Sequence, residues 1–132
     1  MVKWAGGLIV FIGVAHTLIA LALTAPSHAG AWIGRELWGE KLAEMSSANG
    51  AYWLTLGSFG IPLAVVGFLV LWMDRRGLTP PTFIAWTLVV TTIIDLWFFG
   101  PSPGPILLIA AGLLLAADRR AKRAEGAVAA AV

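Results

Sequence analysis

A chain of 132 residues is long enough for one compact unit and too short for two ordinary domains. It is 59% hydrophobic and only 12% charged, against roughly 25% charged in a soluble domain, and long apolar runs separate its charge clusters, so a soluble globular domain is disfavoured and an integral membrane protein expected. The absence of cysteine excludes disulfides, thiolate metal sites and Cys nucleophiles, and the net charge of +2 resides in loops and a tail, which reports membrane orientation rather than nucleic-acid binding.

The first apolar segment runs from about Trp4 to Ala25. Lys3, this run and Ser27-His28-Ala29 imitate a secretory signal, but the run exceeds the roughly 7–15 apolar residues of such a signal and is expected to stay as a helix. Next, over about 31–45, Trp32, Ile33, Leu37, Trp38, Leu42 and Met45 recur at helical spacing, opposite Arg35, Glu36, Glu40, Lys41 and Glu44. This predicts a short amphipathic helix on the periplasmic membrane surface, an anchor or a lid.

A second apolar helix is expected over about 51–73, kinked where Pro62 would leave the Ser58 carbonyl free. The third covers about 82–99 and the last about 105–117. A core of about 30 Å needs about 20 helical residues. The last segment is therefore short, either a crossing helped by snorkelling Arg119 and Arg120 or a re-entrant piece. Residues 118–132 read as a basic, then Ala-rich, cytoplasmic tail able to meet anionic lipid.

Taken together the segments predict an all-α integral membrane protein, with four transmembrane helices in an antiparallel bundle. Lys3, Arg75, Arg76, Arg119, Arg120, Lys122 and Arg123 would lie on one side, and only Arg35 and Lys41 on the other, so both termini are expected in the cytoplasm. Trp4, Trp72 and Trp86 would line the inner face, Trp53 and Trp97 the outer. Residues 61–76 and 105–120 align without gaps and share three Leu and Asp-Arg-Arg. That echo fits duplicated hairpins, or two apolar runs that stop alike at one membrane face.

Asp95 is the residue that asks for an explanation, a carboxylate among Ile93, Ile94, Leu96, Trp97, Phe98 and Phe99. Intramembrane charges cost about 2.5–3.5 kcal/mol and normally face a partner. Counting 1.5 Å per residue places Asp95 and His16 at similar heights, about 20 and 18 Å from the cytoplasmic ends of their helices. Ser58 falls near that layer, and Thr87, Thr91, Thr92 and Asp95 form a polar stripe. On the first helix His16 shares a face with Gly6, Gly13 and Ala20, small residues that permit close contact. His16, Ser58, Thr91, Thr92 and Asp95 are thus the candidate ligand-binding residues, and His16 and Asp95 the candidate acid–base pair. The plain alternative is interhelical glue, worth about 1–2 kcal/mol without chemistry. His28 reads as a solvated loop residue. No Walker loop, zinc motif or GxSxG is present, so neither a metal nor a cofactor is expected, and haem ligation by His16 lacks a matching second histidine.

The strings "GVAHTLIAL", "GAWIGRELWGE", "YWLTLGSFGIP" and "LVLWMDRRG" resemble a bacterial family of small four-helix membrane proteins catalogued as a domain of unknown function. The resemblance covers Trp4 to about Ala117 and implies a bacterial inner-membrane protein, without an activity or site residues. The expected function is a non-enzymatic module that binds a lipid or apolar small molecule, or an accessory to a larger membrane complex. The alternatives are a membrane-embedded enzyme using His16 and Asp95 on a lipid-soluble substrate, and a proton-coupled transporter subunit. Membrane lipids, a second copy of the chain or a larger complex are the expected partners.

Overall fold

The computed structural model describes residues 1–100 and 102–130, together with all their side chains except that of Leu42. The described residues form five α-helices, α1 (Val2–Ile33), α2 (Ser47–Leu54), α3 (Gly60–Arg75), α4 (Thr82–Phe99) and α5 (Pro105–Ala130), with one short 3-10 turn at Leu42–Glu44 and no strand.

Each departure from the expected boundaries has a local cause. The first helix was expected to end near Ala25, yet α1 runs through Pro26 for 32 residues, about 48 Å. An exposed proline removes one hydrogen bond without forcing an end. Termination comes at Gly34, where the Glu36 N–H donates to Ala31 O (3.0 Å) and the Arg35 N–H to Trp32 O (3.3 Å). Arg35 takes the left-handed conformation there (φ 62°), and Gly39 follows at φ 79°. Those two reversals interrupt helical continuity, so the amphipathic helix expected over 31–45 does not form. Its first residues belong to α1, and the rest is a turn-rich loop.

Glu40 clamps that loop. Its carboxylate accepts from Ser46 N–H (3.1 Å) and Asn49 Nδ2 (3.0 Å), while the Ser46 hydroxyl caps α2 by accepting from Asn49 N–H (3.2 Å). Trp32 Nε1 donates to Ala48 O (2.8 Å), tying the end of α1 to the start of α2.

The helix expected over 51–73 is two helices. Thr55 is buried and donates its hydroxyl back to Ala51 O (2.8 Å), and the chain leaves the helix between Thr55 and Phe59. Pro62 consequently sits in the first turn of α3, where a missing N–H has no cost, rather than at a kink within a longer helix. The Ser58 hydroxyl donates to Thr55 O (2.8 Å) and accepts from Gly60 N–H (3.3 Å), holding the break. α4 occupies the expected 82–99. α5 starts at the expected Pro105 but continues to Ala130, so residues 118–130 are helical rather than a separate tail.

α1 and α3 run antiparallel with backbones nearly touching. Gly13 of α1 faces Gly60 and Ala64, and a Cβ added there would stand 2.5 Å from Gly60 O and 2.7 Å from Ala64 N. One heptad away, a Cβ on Gly67 would meet Val10 N at 2.6 Å and Gly6 O at 3.0 Å. α1 also packs on α5, and α5 on α4, around Ile9, Ile12, Val70, Leu88, Ala110 and Leu114. No Cα of α3 or of α1 comes within 8 Å of α4. By backbone approach the helices neighbour one another in the order α3, α1, α5, α4, while Val70 of α3 and Ile84, Ala85 and Leu88 of α4 belong to one buried cluster. Two hairpins related by duplication would repeat the α1–α5 contact between α4 and α3, and that contact is missing. Two helices, α1 and α4, are long and apolar enough to cross a bilayer.

Two experiments check this packing. Gly13→Ala should lower stability by roughly 1–3 kcal/mol through overpacking. Gly7→Ala, which meets nothing within 4 Å, should gain roughly 0.5–1 kcal/mol of helix propensity, both read by thermal unfolding followed by circular dichroism. The clamp carries its own pH signature. Hydrogen bonds from Asn49 first, and then from Ser46, hold the Glu40 carboxyl below its ordinary 4.5. A lowered folded value makes its stabilisation complete above about pH 4.5, the unfolded value, and lost as pH falls below that and through the lower folded value. The difference in unfolding temperature between wild type and Glu40→Ala should accordingly be constant near neutrality and shrink on acidification.

Candidate functional site

Where α3 starts, its first turn meets the middle of α1 at His16. The imidazole lies against the Phe59 ring, centroids 4.3 Å apart and tilted by 33°. A Cβ on Gly60 would collide with the Thr17 hydroxyl and lie 2.9 Å from Gly13 O and 3.1 Å from His16 Cδ2. The glycine thus allows the broken helix to seat against the histidine. His16 Nε2 is buried with no hydrogen-bond partner. Thr17 beside it is satisfied, donating to Gly13 O (3.0 Å). An unpaired polar atom in such a place costs about 1–3 kcal/mol. The bare Nε2 is enclosed between the Phe59 ring and the glycine-lined contact of α1 with α3.

The sequence-derived set divides three ways. His16 belongs to the α1–α3 contact, and Ser58 forms the break whose next two residues touch that histidine. Asp95 does not join them. It is exposed on α4, makes no hydrogen bond or ion pair among the described residues, and belongs to a helix whose backbone stays away from α1. α4 turns Ile84, Ala85, Leu88 and Thr92 inward, and Asp95 shares that face but is exposed because it lies beyond Thr92, the last buried residue of the helix.

Thr91 and Thr92 part company too. Thr91 is exposed and donates to Thr87 O (2.8 Å), beside an open groove of α4 formed with Phe83, Trp86, Thr87 and Val90. Thr92 is only 1% exposed. Thr17, Thr24, Thr55 and Thr91 each satisfy their hydroxyl on the carbonyl four residues back, whereas Thr92 Oγ1 is buried without a partner. Its methyl faces Gly104, where an added Cβ would stand 3.0 Å away.

Phe59 and Gly60 were not among the expected site residues, although the sequence carried their signal. Thr55, Gly57, Ser58 and Gly60 crowd turn-forming residues ahead of Pro62, the pattern of a helix stop. No group of three His, Cys, Asp or Glu side chains able to hold a metal occurs among the described residues. What the geometry offers is hydrogen bonding in an apolar setting.

Replacing Thr92 by the isosteric valine removes an unsatisfied hydroxyl and should raise stability by roughly 1–3 kcal/mol in thermal unfolding. A fall on Thr92→Val would show that the hydroxyl is engaged in the folded protein.

Neither a curated protein nor a solved structure matches the chain. One family model does, over residues 1–122, which takes in α1 to α4 and most of α5. On that match the chain belongs to DUF6463, a family of unknown function.

Proposed function

We propose that this chain is a small protein of the bacterial inner membrane, threaded four times with both termini in the cytoplasm. In this reading it works without catalysis, holding a lipid or another apolar molecule at the broken helix beside His16, within a larger membrane assembly or alone.

The observation that carries the membrane part is the outer surface. Leu23, Phe11, Val65, Phe83 and Trp97 stand exposed on three different helices, Trp97 at 84% and Leu23 at 76%. Water-soluble surfaces rarely gather apolar area on that scale, whereas lipid accepts it. The proposed crossings are α1, α2 with α3, α4 and the first half of α5. A helix broken within such a span is tolerated where the break is buried in protein or lines a site, and here it abuts His16.

Acid–base catalysis and proton relay both require His16 and Asp95 to reach one substrate or one water chain. With α4 joined to α1 through α5 and Asp95 exposed and unpaired beyond the buried part of α4, the geometry favours binding over either alternative.

The test is the small-molecule content of the purified protein, measured by solvent extraction and mass spectrometry. Wild type should retain a defined apolar molecule bearing a hydroxyl or amide, and His16→Leu should retain about ten-fold less, the effect of one lost hydrogen bond of roughly 1.4 kcal/mol. Asp95→Asn should retain it. Equal content in wild type and His16→Leu would remove the histidine from any binding role.

A further inference from the structure

The atom that the binding reading assigns to a ligand is closed off. His16 Nε2 is buried and has no partner, so no molecule reaches it while the start of α3 stays in place. Two kinds of neighbour enclose the imidazole. One is the glycine seam, where Gly13 and Gly60 stand backbone to backbone and nothing can shift without parting α1 from α3. The other is the Phe59 ring, with 4.3 Å between the ring centroids.

Phe59 is the part of that enclosure able to move. At 53% exposure it is covered on the His16 side and open on the other, which leaves the ring space to swing into. It precedes the first residue of α3 and so ends the break that begins at Thr55. Few bonds hold the break closed. The Ser58 hydroxyl donates to Thr55 O and accepts from Gly60 N–H, and the Ser58 N–H donates to Thr55 O (3.2 Å). Pro62 has no N–H, so the Ser58 carbonyl lacks the helical bond that would tie the break into α3.

We infer that Phe59 is a gate on the His16 site. Its ring lies over the imidazole in the closed arrangement and swings out, about the Thr55–Phe59 break, to uncover Nε2 for an apolar ligand. The inference rests on the reading of His16 as a binding residue and supplies the motion that reading requires. Opening gives up an aromatic contact and lets water or ligand satisfy a buried nitrogen that the closed form leaves unpaired. The two effects oppose each other, which keeps the open form within reach of the closed one.

Exchange of the imidazole Cε1 hydrogen with deuterated water tests the gate without any ligand. That exchange passes through the imidazolium, which carries a proton on both nitrogens, so it requires access to Nε2. Mass spectrometry of proteolytic peptides reads His16 and His28 separately. In the full-length protein in neutral detergent micelles, His16 should exchange more slowly than the half-buried His28. Phe59→Ala should speed His16 about two- to ten-fold, the factor one aromatic contact supplies, with helical circular dichroism unchanged. Ser58→Ala, which loosens the break and keeps the ring, should also speed it. Phe83→Ala, which removes an exposed ring from α4, should leave it as in wild type. Exchange at His16 as fast as at His28 in wild type overturns the gate. So does an unchanged rate in Phe59→Ala, or an equal gain in Phe83→Ala, which would mean general loosening. A wild type that carries no copurified apolar molecule would instead remove the binding reading and leave the exchange result standing.

Discussion

The backbone-to-backbone contact of α1 with α3 is the constraint on which the other features depend. Gly6 and Gly13 meet Gly67 and Gly60 in antiparallel order, with Ala64 between, and a Cβ added at Gly13, Gly60 or Gly67 would collide with the facing helix. Helices in lipid gain no hydrophobic attraction from one another, so small residues that let backbones approach are what holds such a pair. The seam fixes where α3 begins, and that in turn sets Phe59 on the His16 ring. Continuous helix from Ser47 onward would carry the chain past this contact. The break at Thr55–Phe59, held by the Thr55 and Ser58 hydroxyls, brings Gly60 into it.

From that pair outward the packing loosens. α5 lies against both α1 and α4 with Ala110 and Ala111 fully buried, while α4 has α5 as its backbone neighbour and keeps one whole flank open. Buried polar atoms follow the same gradient. Hydroxyls near the seam are satisfied, and among the described residues the buried side-chain atoms without partners are His16 Nε2 at its edge and Thr92 Oγ1 at the α4–α5 turn. Asp95 belongs to the loose end, exposed and four residues before α4 finishes. In the proposed threading a carboxylate at that position can turn toward the headgroup region rather than remain in hydrocarbon.

The apolar segments were legible because length and hydropathy report them directly, and α4 lies where its pattern places it. Gly6, Gly13 and Ala20 were legible as a contact face because all three recur at helical spacing, and all three are buried. What escaped was conformation set by single residues. Helical spacing over 31–45 suggested a helix, but Arg35 and Gly39 at positive φ decide otherwise. Pro62 drew the eye as a kink, although the stop had come earlier, in the Thr-Gly-Ser-Gly cluster. The pairing of His16 with Asp95 failed for a different reason. Depth along a helix can be counted from sequence, whereas the order of helices around a bundle depends on contacts between distant segments, and α5 takes the place beside α1 that the pairing required of α4.

Antiparallel passage of α1 and α3 puts the N-terminus and the Arg75–Arg76 turn at one end of the molecule, and the proposed threading makes that end cytoplasmic. Because the chain has no cysteine, single cysteines can be introduced at Ser47, Thr79 and Ala124 and treated with a membrane-impermeant maleimide on intact cells whose outer membrane has been permeabilised. The four-crossing arrangement predicts labelling of Ser47→Cys from outside, with Thr79→Cys and Ala124→Cys labelled only after lysis. Labelling of Thr79→Cys or Ala124→Cys in intact cells, or protection of Ser47→Cys, would contradict it.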